Sequence, residues 1–323
     1  MTGWLLVVVL LLLASGCRRG ETVRIFGGPT GGTFQNIAAG IARLLDGEMP
    51  ALRVRSIHSG GSVDNLFQVE RGGNEVALVY SGDAYLGSRG ELRRGESATV
   101  HVLALAKLYG AAAQLVVLAD SDVYSPSELR GRRIAIGNPG SGSALAALRY
   151  FHSLGIWEDV IPIYIGFDMG LEDLRQRNVD AVWMLVGVPN LSLRKFGQDV
   201  SIRLLDLIDE LGAGTLVGAH PYYSLARIPA GTYPGQAQDV STFQDDALLV
   251  ANQRMDEKFV HALLNIIFSD KGVAALRTAD PAAAGLDARR GAESVAIPLH
   301  PGAERYWREK GKLGQRGMRQ PGK

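Results

Sequence analysis

Residues 22–45 read TVRIFGGPTGGTFQNIAAGIARLL. Thr22 to Phe26 is a short β-branched and apolar run, the signature of a strand. Thr30-Gly31-Gly32-Thr33 follows, a turn without a bulky side chain. Phe34, Ile37, Ala38, Ile41, Leu44 and Leu45 then recur at helical spacing, and Pro50 closes the unit. The same succession returns twice. Leu52 to Ile57 reads as a strand that runs into Ser59-Gly60-Gly61-Ser62 and a helix carrying Val63, Leu66 and Phe67. Arg133 to Gly137 runs into Gly140-Ser141-Gly142-Ser143 and a helix through Leu145, Leu148 and Phe151. With further strands at Val76 to Tyr80, Val160 to Ile165 and Asp180 to Leu185, the pattern is that of parallel sheets with helices on their faces.

Longer segments organise these units into two α/β lobes. Val100 to Leu118 is apolar and long enough to carry the chain from one lobe to the other, and Ala247 to Ala251 is a return strand. Ile228 to Asp239, rich in Pro and Gly, reads as a linker, and the acidic pair Asp245-Asp246 as a solvated loop. Ser125-Pro126 marks a helix start, Leu171 to Arg177 a short helix, and Phe259, Val260, Leu263, Leu264 and Ile267 a strongly amphipathic one. In open parallel sheets a ligand sits beyond the C-terminal ends of the strands, where all three small-residue turns fall.

Each turn would present backbone N–H groups and small hydroxyls at a helix N-terminus, which favours an anion without any charged side chain. One such terminus contributes about 0.3–1 kcal/mol when exposed and up to about 2 when partly buried. Two or three fall short of the roughly 8 kcal/mol of micromolar binding. Hydroxyl hydrogen bonds, exclusion of water on closure and packing against Phe34, Tyr80, Tyr85 and Tyr109 would supply the rest. No turn ends in Gly-Lys-Ser/Thr, and the first lacks Gly-x-Gly-x-x-Gly, so neither a phosphate loop nor a dinucleotide cradle fits.

The composition is that of a globular protein, with 46% hydrophobic and 21% charged residues. A formal net charge of +1 and scattered basic residues give no argument for nucleic acid. Trp4 to Leu13 has the length of a signal h-region and leads into Leu13-Ala14-Ser15-Gly16-Cys17. Cys17 is the only cysteine, at the position where a lipoprotein is lipidated, so residues 1–17 read as a lipoprotein signal with Cys17 its lipidation site. The expected location is extracytoplasmic, at a bacterial membrane held through that lipid. The six histidines are far apart and without metal-ligand spacing, and there is no nucleophile elbow. The chain is therefore not expected to be an enzyme or to need a cofactor or metal. Asp83, just beyond the third strand, is placed either to meet a ligand's amino group or to serve as a first-turn helix acid.

Several motifs, taken in order, resemble the TAXI solute receptors, the extracytoplasmic binding proteins associated with TRAP transporters. They are Thr30-Gly31-Gly32-Thr33-Phe34, Ser59-Gly60-Gly61-Ser62-Val63-Asp64-Asn65-Leu66, Gly140-Ser141-Gly142-Ser143, Gly187-Val188-Pro189-Asn190, Ile228-Pro229-Ala230-Gly231-Thr232-Tyr233 and Pro298-Leu299-His300-Pro301-Gly302-Ala303. The sequence departs from the family's usual pattern at Phe34, at Tyr80-Ser81-Gly82-Asp83 and at Asn138. The resemblance implies a two-lobed, type II-like periplasmic-binding-protein fold, each lobe a mostly parallel sheet flanked by helices, with hinge strands between. Residues 18–108 and 240–323 would form one lobe and 109–239 the other. It implies capture of a small carboxylate, glutamate-like or dicarboxylate-like, and delivery to a TRAP-type permease. Thr30 to Thr33, Ser59 to Ser62 and Ser141 to Ser143 would bind the ligand, with Pro189 and Asn190 shaping the far wall. Phe34, Tyr80, Ser81 and Asp83 complete the expected site. A lipoprotein that signals to a membrane sensor is the alternative output, and an enzyme on the same fold a remoter one.

Overall fold

The computed structural model describes residues 22–293 and 295–313; the leader and Cys17 lie outside the described residues. The chain opens with β1 (Thr22–Phe26), α1 (Thr33–Glu48), β2 (Arg53–Ile57), α2 (Ser62–Arg71), β3 (Glu75–Tyr80) and α3 (Ser81–Ser88). β1 pairs in parallel with both β2 and β3. The expected apolar stripe of α1 is its buried face, with Ile37, Ala38, Ile41 and Leu45 almost wholly covered. The helix stops at Met49, since Pro50 cannot supply the next backbone donor.

β4 (Val102–Leu118) follows, then β5 (Arg133–Ala135), α4 (Gly142–Ser153), β6 (Ile161–Ile163), α5 (Phe167–Arg175), β7 (Ala181–Gly187), α6 (Leu191–Asp199), β8 (Ile202–Leu204), α7 (Ala213–Ala219) and β9 (Ser224–Ile228). The chain returns through β10 (Val240–Asn252) and ends in α8 (Glu257–Ile267), α9 (Asp270–Ala279) and α10 (Pro301–Glu309). The strands run in the order β2-β1-β3-β10-β4-β7-β5-β6, with β8 on β4 and β9 on β10. The parallel triads β2-β1-β3 and β6-β5-β7 share one order and form the two lobes. β4 and β10 join them as antiparallel strands.

The 17 residues of β4 would span roughly 55 Å at strand rise, enough to serve both lobes. Its first part pairs with β10 from Val102, and its later part with β7 from Ala111 to Val116. β10 changes partner likewise, from β9 over Val240 to Gln244 to β3 over Ala247 to Ala251. The handover falls at Tyr109, Ala247 and Tyr80, which lie side by side, and β10 is irregular just beyond Ala247.

Three local expectations are corrected. The segment from Ile228 to Asp239 does not cross between lobes. It connects β9 to β10, which pair directly, and Asp239 clasps it by accepting from the Ala230 N–H at 2.8 Å. The Pro and Gly there make a tight connection, while the crossing is left to β10. Asp245 and Asp246 are strand residues: Asp245 is 1% exposed, and Asp246 pairs with Lys107 at 2.6 Å. The helix expected over Leu171 to Arg177 runs from Phe167 to Arg175, and buries Phe167, Leu171 and Leu174 on one face.

Candidate functional site

The three small-residue turns meet. Gly32, Thr33 and Phe34 from the start of α1, Gly61 and Ser62 from α2, and Ser141, Gly142 and Ser143 from α4 line one cavity with Tyr80. Pro29, Tyr109, Asn138, Phe167 and Val186 complete it. Helix starts from both lobes therefore converge beyond the C-terminal ends of β1, β2 and β5 and beside the handover of the crossing strands. The space is ≈ 20 Å³, room for about one water molecule. Hollows around Arg24, Arg71 and Arg254 and between α1 and α9 are wider, but open to solvent, and gather none of the turns.

The hydroxyls are oriented by backbone groups. Ser62 Oγ accepts the Tyr80 N–H at 2.9 Å, tying α2 to the end of β3. Ser143 Oγ accepts the Leu185 N–H at 3.1 Å, the corresponding tie between α4 and β7. Thr33 Oγ1 accepts the Gly187 N–H at 3.2 Å, from the opposite lobe. A hydroxyl that accepts still has its own hydrogen to give. Gly32 and Gly61 precede α1 and α2 without side-chain caps, whereas Ser141 caps α4 by accepting from Ala144 N at 3.1 Å.

Other expected residues stand around the cavity. Thr30 is exposed. The Gly31 carbonyl accepts from Asn190 Nδ2 at 3.0 Å, and Asn190 also caps α6, so it links the lobes. Pro189 is half-buried in the turn after β7. Ser59 Oγ accepts from Gly61 N at 3.2 Å, and Gly60 N donates to Asp64, both within their own turn. Ser81 is buried at the start of α3, outside the lining. Tyr85, expected as packing, stacks near Tyr222 away from the cavity.

Asp83 is fully buried, and its Oδ1 accepts from both terminal nitrogens of Arg149 at 3.2 Å. Arg149 also donates to the Tyr223 hydroxyl at 3.2 Å. Burial opposes the charge on Arg149, but Tyr223 and Asp83 outweigh it and raise its pKa above the ordinary arginine value. Asp245 accepts from the Gly82 N–H at 3.1 Å; burial, then repulsion from Asp83, pushes its pKa well above the carboxylate range. This network binds α3 of one lobe to α4 of the other, beside the hinge strand. The Tyr80 hydroxyl donates across the same seam to the Leu185 carbonyl. Burial first, and nearby acids second, raise the pKa of Tyr80; burial and then Tyr80 raise that of Tyr109, so both phenols keep their protons.

Sequence reasoning missed Arg149, Asp245, Phe167 and Val186. None lies in a small-residue turn, and contacts across lobes leave no local signal. Asn138 was visible only as a departure from a family pattern.

A shared sheet crossed by two long strands, with turns converging at the hinge, defines the fold of periplasmic binding proteins. MatC from Rhodopseudomonas palustris, solved with bound malate, is similar in structure with a TM-score of 0.57 at 14% identity, covering 90% of this chain and 97% of MatC. The periplasmic binding protein BugD matches with a TM-score of 0.54 at 15% identity, covering 91% of this chain and 99% of BugD. The model of the NMT1-like family matches residues 25–311, and the chain belongs to that family. Its fold is that of periplasmic binding proteins such as BugD.

Proposed function

We propose that this protein is an extracytoplasmic receptor of the TAXI type. It captures a small organic anion, a carboxylate, between its lobes and delivers it to a TRAP-type permease. Residues 18–108 and 240–323 form one lobe and 109–239 the other, and Cys17 carries a lipid that holds the receptor at a bacterial membrane. The observation that carries this reading is the convergence of helix starts from both lobes on one cavity. Thr33, Phe34, Ser62, Tyr80, Ser141, Gly142 and Ser143 form the wall of the ligand site. Thr30, Gly31, Ser59 and Gly60 shape the turns behind it, with Gly32 and Gly61 before the uncapped helices. Ser81 starts the helix that carries Asp83, and Asp83, Pro189 and Asn190 hold the lobes together. MatC, a protein of the same fold, holds malate, a dicarboxylate, in keeping with an organic-acid ligand in this fold.

A cavity of ≈ 20 Å³ corresponds to a closed form, so the lobes part to admit the solute and close behind it. Closure then exchanges the seam bonds of Thr33, Tyr80 and Asn190 for bonds that include the ligand. Native mass spectrometry of the soluble chain from Arg18 onward tests the reading. The expected result is a stoichiometric carboxylate, lost on unfolding and regained on refolding. An empty protein without a thermal shift across monocarboxylates, dicarboxylates and amino acids would overturn it. Delivery is measured by ligand uptake into vesicles that hold a TRAP-type permease, with and without the receptor.

A further inference from the structure

We infer that the solute carries a single carboxylate and an uncharged, largely apolar remainder, and that the Tyr109 hydroxyl is one of the donors to that carboxylate. This rests on the receptor reading above and narrows it to a chemical class.

The first argument is charge. No Lys, Arg, His, Asp or Glu lines the cavity. Three helix starts, each equivalent to roughly half a positive charge, together suit one carboxylate. A second carboxylate would be desolvated without a cation in the lining to offset it. Arg149 cannot serve, since Asp83 and Tyr223 hold it at 3.2 Å, and Arg93, which reaches the Gly140 carbonyl, lies outside the lining. An ammonium group meets the same difficulty. Three acids stand near the turns, all outside the lining: Asp83 is matched by Arg149, Asp64 accepts from the Gly60 N–H, and Asp168 lies against Gly31. The free Oδ2 of Asp83 lies against the backbone of Gly142, outside the lining. The remaining wall is apolar where Phe34 and Phe167 face the space.

The second argument is an orphaned donor. Tyr109 is 3% exposed and lines the cavity, yet its hydroxyl has no hydrogen-bond partner. Leaving a buried hydroxyl unpaired is destabilising. Tyr109 sits on β4 where the crossing strands change partners, so a ligand held there would be bound by the hinge as well as by both lobes. The phenol stays protonated, so it has a hydrogen to give to a carboxylate.

The test uses ligand-stripped soluble chain from Arg18 onward and calorimetry with matched acids of four to six carbons. The probes are straight-chain monocarboxylates and their 2-oxo forms, the corresponding dicarboxylates, and the corresponding 2-amino acids with L-glutamate. The expected result is a monocarboxylate bound at least about tenfold more tightly than any dicarboxylate or amino acid. A dicarboxylate or amino acid bound as tightly or more tightly overturns the inference and leaves the receptor reading standing. Binding of none of them overturns both. Tyr109→Phe keeps the ring and removes the unpaired hydroxyl, so its Tm should be unchanged or higher. Its affinity for the best monocarboxylate should fall at least about tenfold; unchanged affinity overturns the assignment of Tyr109.

Discussion

The two lobes are built on the same parallel triad, with the first strand central, the second outside and the third towards the hinge. They also place a serine alike: Ser62 and Ser143 each accept a backbone N–H near the end of the third strand. They differ at the helix starts. In the lobe of β1 to β3, Gly32 and Gly61 precede α1 and α2 with no side-chain cap. In the lobe of β5 to β7, Ser141 caps α4 itself. One lobe therefore offers two helix ends without a side-chain cap, although the Gly61 N–H already donates to Ser59 Oγ, while the other offers one that its own cap partly satisfies. On the proposed reading the first would be the better anion holder, and the second more a cover whose seam groups, Arg149, Gly187 and Asn190, fasten it down.

The seam gives the largest expected effect. Arg149→Met removes the partner of a fully buried Asp83, and breaking a buried pair costs about 3–5 kcal/mol. Urea denaturation should show that loss, together with weaker ligand binding. A loss below about 1 kcal/mol, as for an exposed pair, would remove the distinction between the seam and the surface. Gly61→Ala comes next. Gly61 has φ 113° and ψ −159°, a region close to glycine-only, and a Cβ there would meet Ser141 Cβ at 3.4 Å. A cost of about 1–3 kcal/mol is expected, with a marked loss of affinity, because the strain falls on an anion-holding turn. Ser141→Ala should cost about 1 kcal/mol by thermal melt while changing affinity less than Gly61→Ala does. The reverse order of affinities would mean that the capped lobe holds the anion.

The smallest effect at acid pH belongs to the hinge strand. Asp245 has a raised pKa in the folded protein, so its contribution is fully present below the unfolded value of about 3.9 and is lost as pH rises through the folded value. Asp245→Asn keeps an acceptor for the Gly82 N–H and removes that loss. The variant should match the wild type at about pH 4 and exceed its Tm increasingly towards pH 8. A Tm difference that does not change with pH would show that Asp245 is not the titrating group.

Most of the framework was legible in the sequence. Thr22 to Phe26, the stripe from Phe34 to Leu45 and the long apolar run ending at Leu118 each became the expected element, because periodicity and turn chemistry are local properties. The turns were legible as helix starts for the same reason, and nine of their residues and neighbours do line one cavity: Gly32, Thr33, Phe34, Gly61, Ser62, Tyr80, Ser141, Gly142 and Ser143. The acidic pair on β10 was misread, because polarity marks a loop only when the residue has no partner in space. Asp245 is buried through the Gly82 backbone, 163 residues away in sequence.

The sequence by itself determined the α/β units, the three small-residue helix starts and the long apolar strand ending at Leu118, all of which depend on residues within a few positions of one another. Only the tertiary structure decided that Arg149 meets Asp83, that Asn190 reaches Gly31, and that Tyr109 lines the cavity and leaves its buried hydroxyl unpaired among the described residues. Those outcomes follow from how two lobes press together across a hinge, where partners distant in sequence are selected by shape, burial and charge.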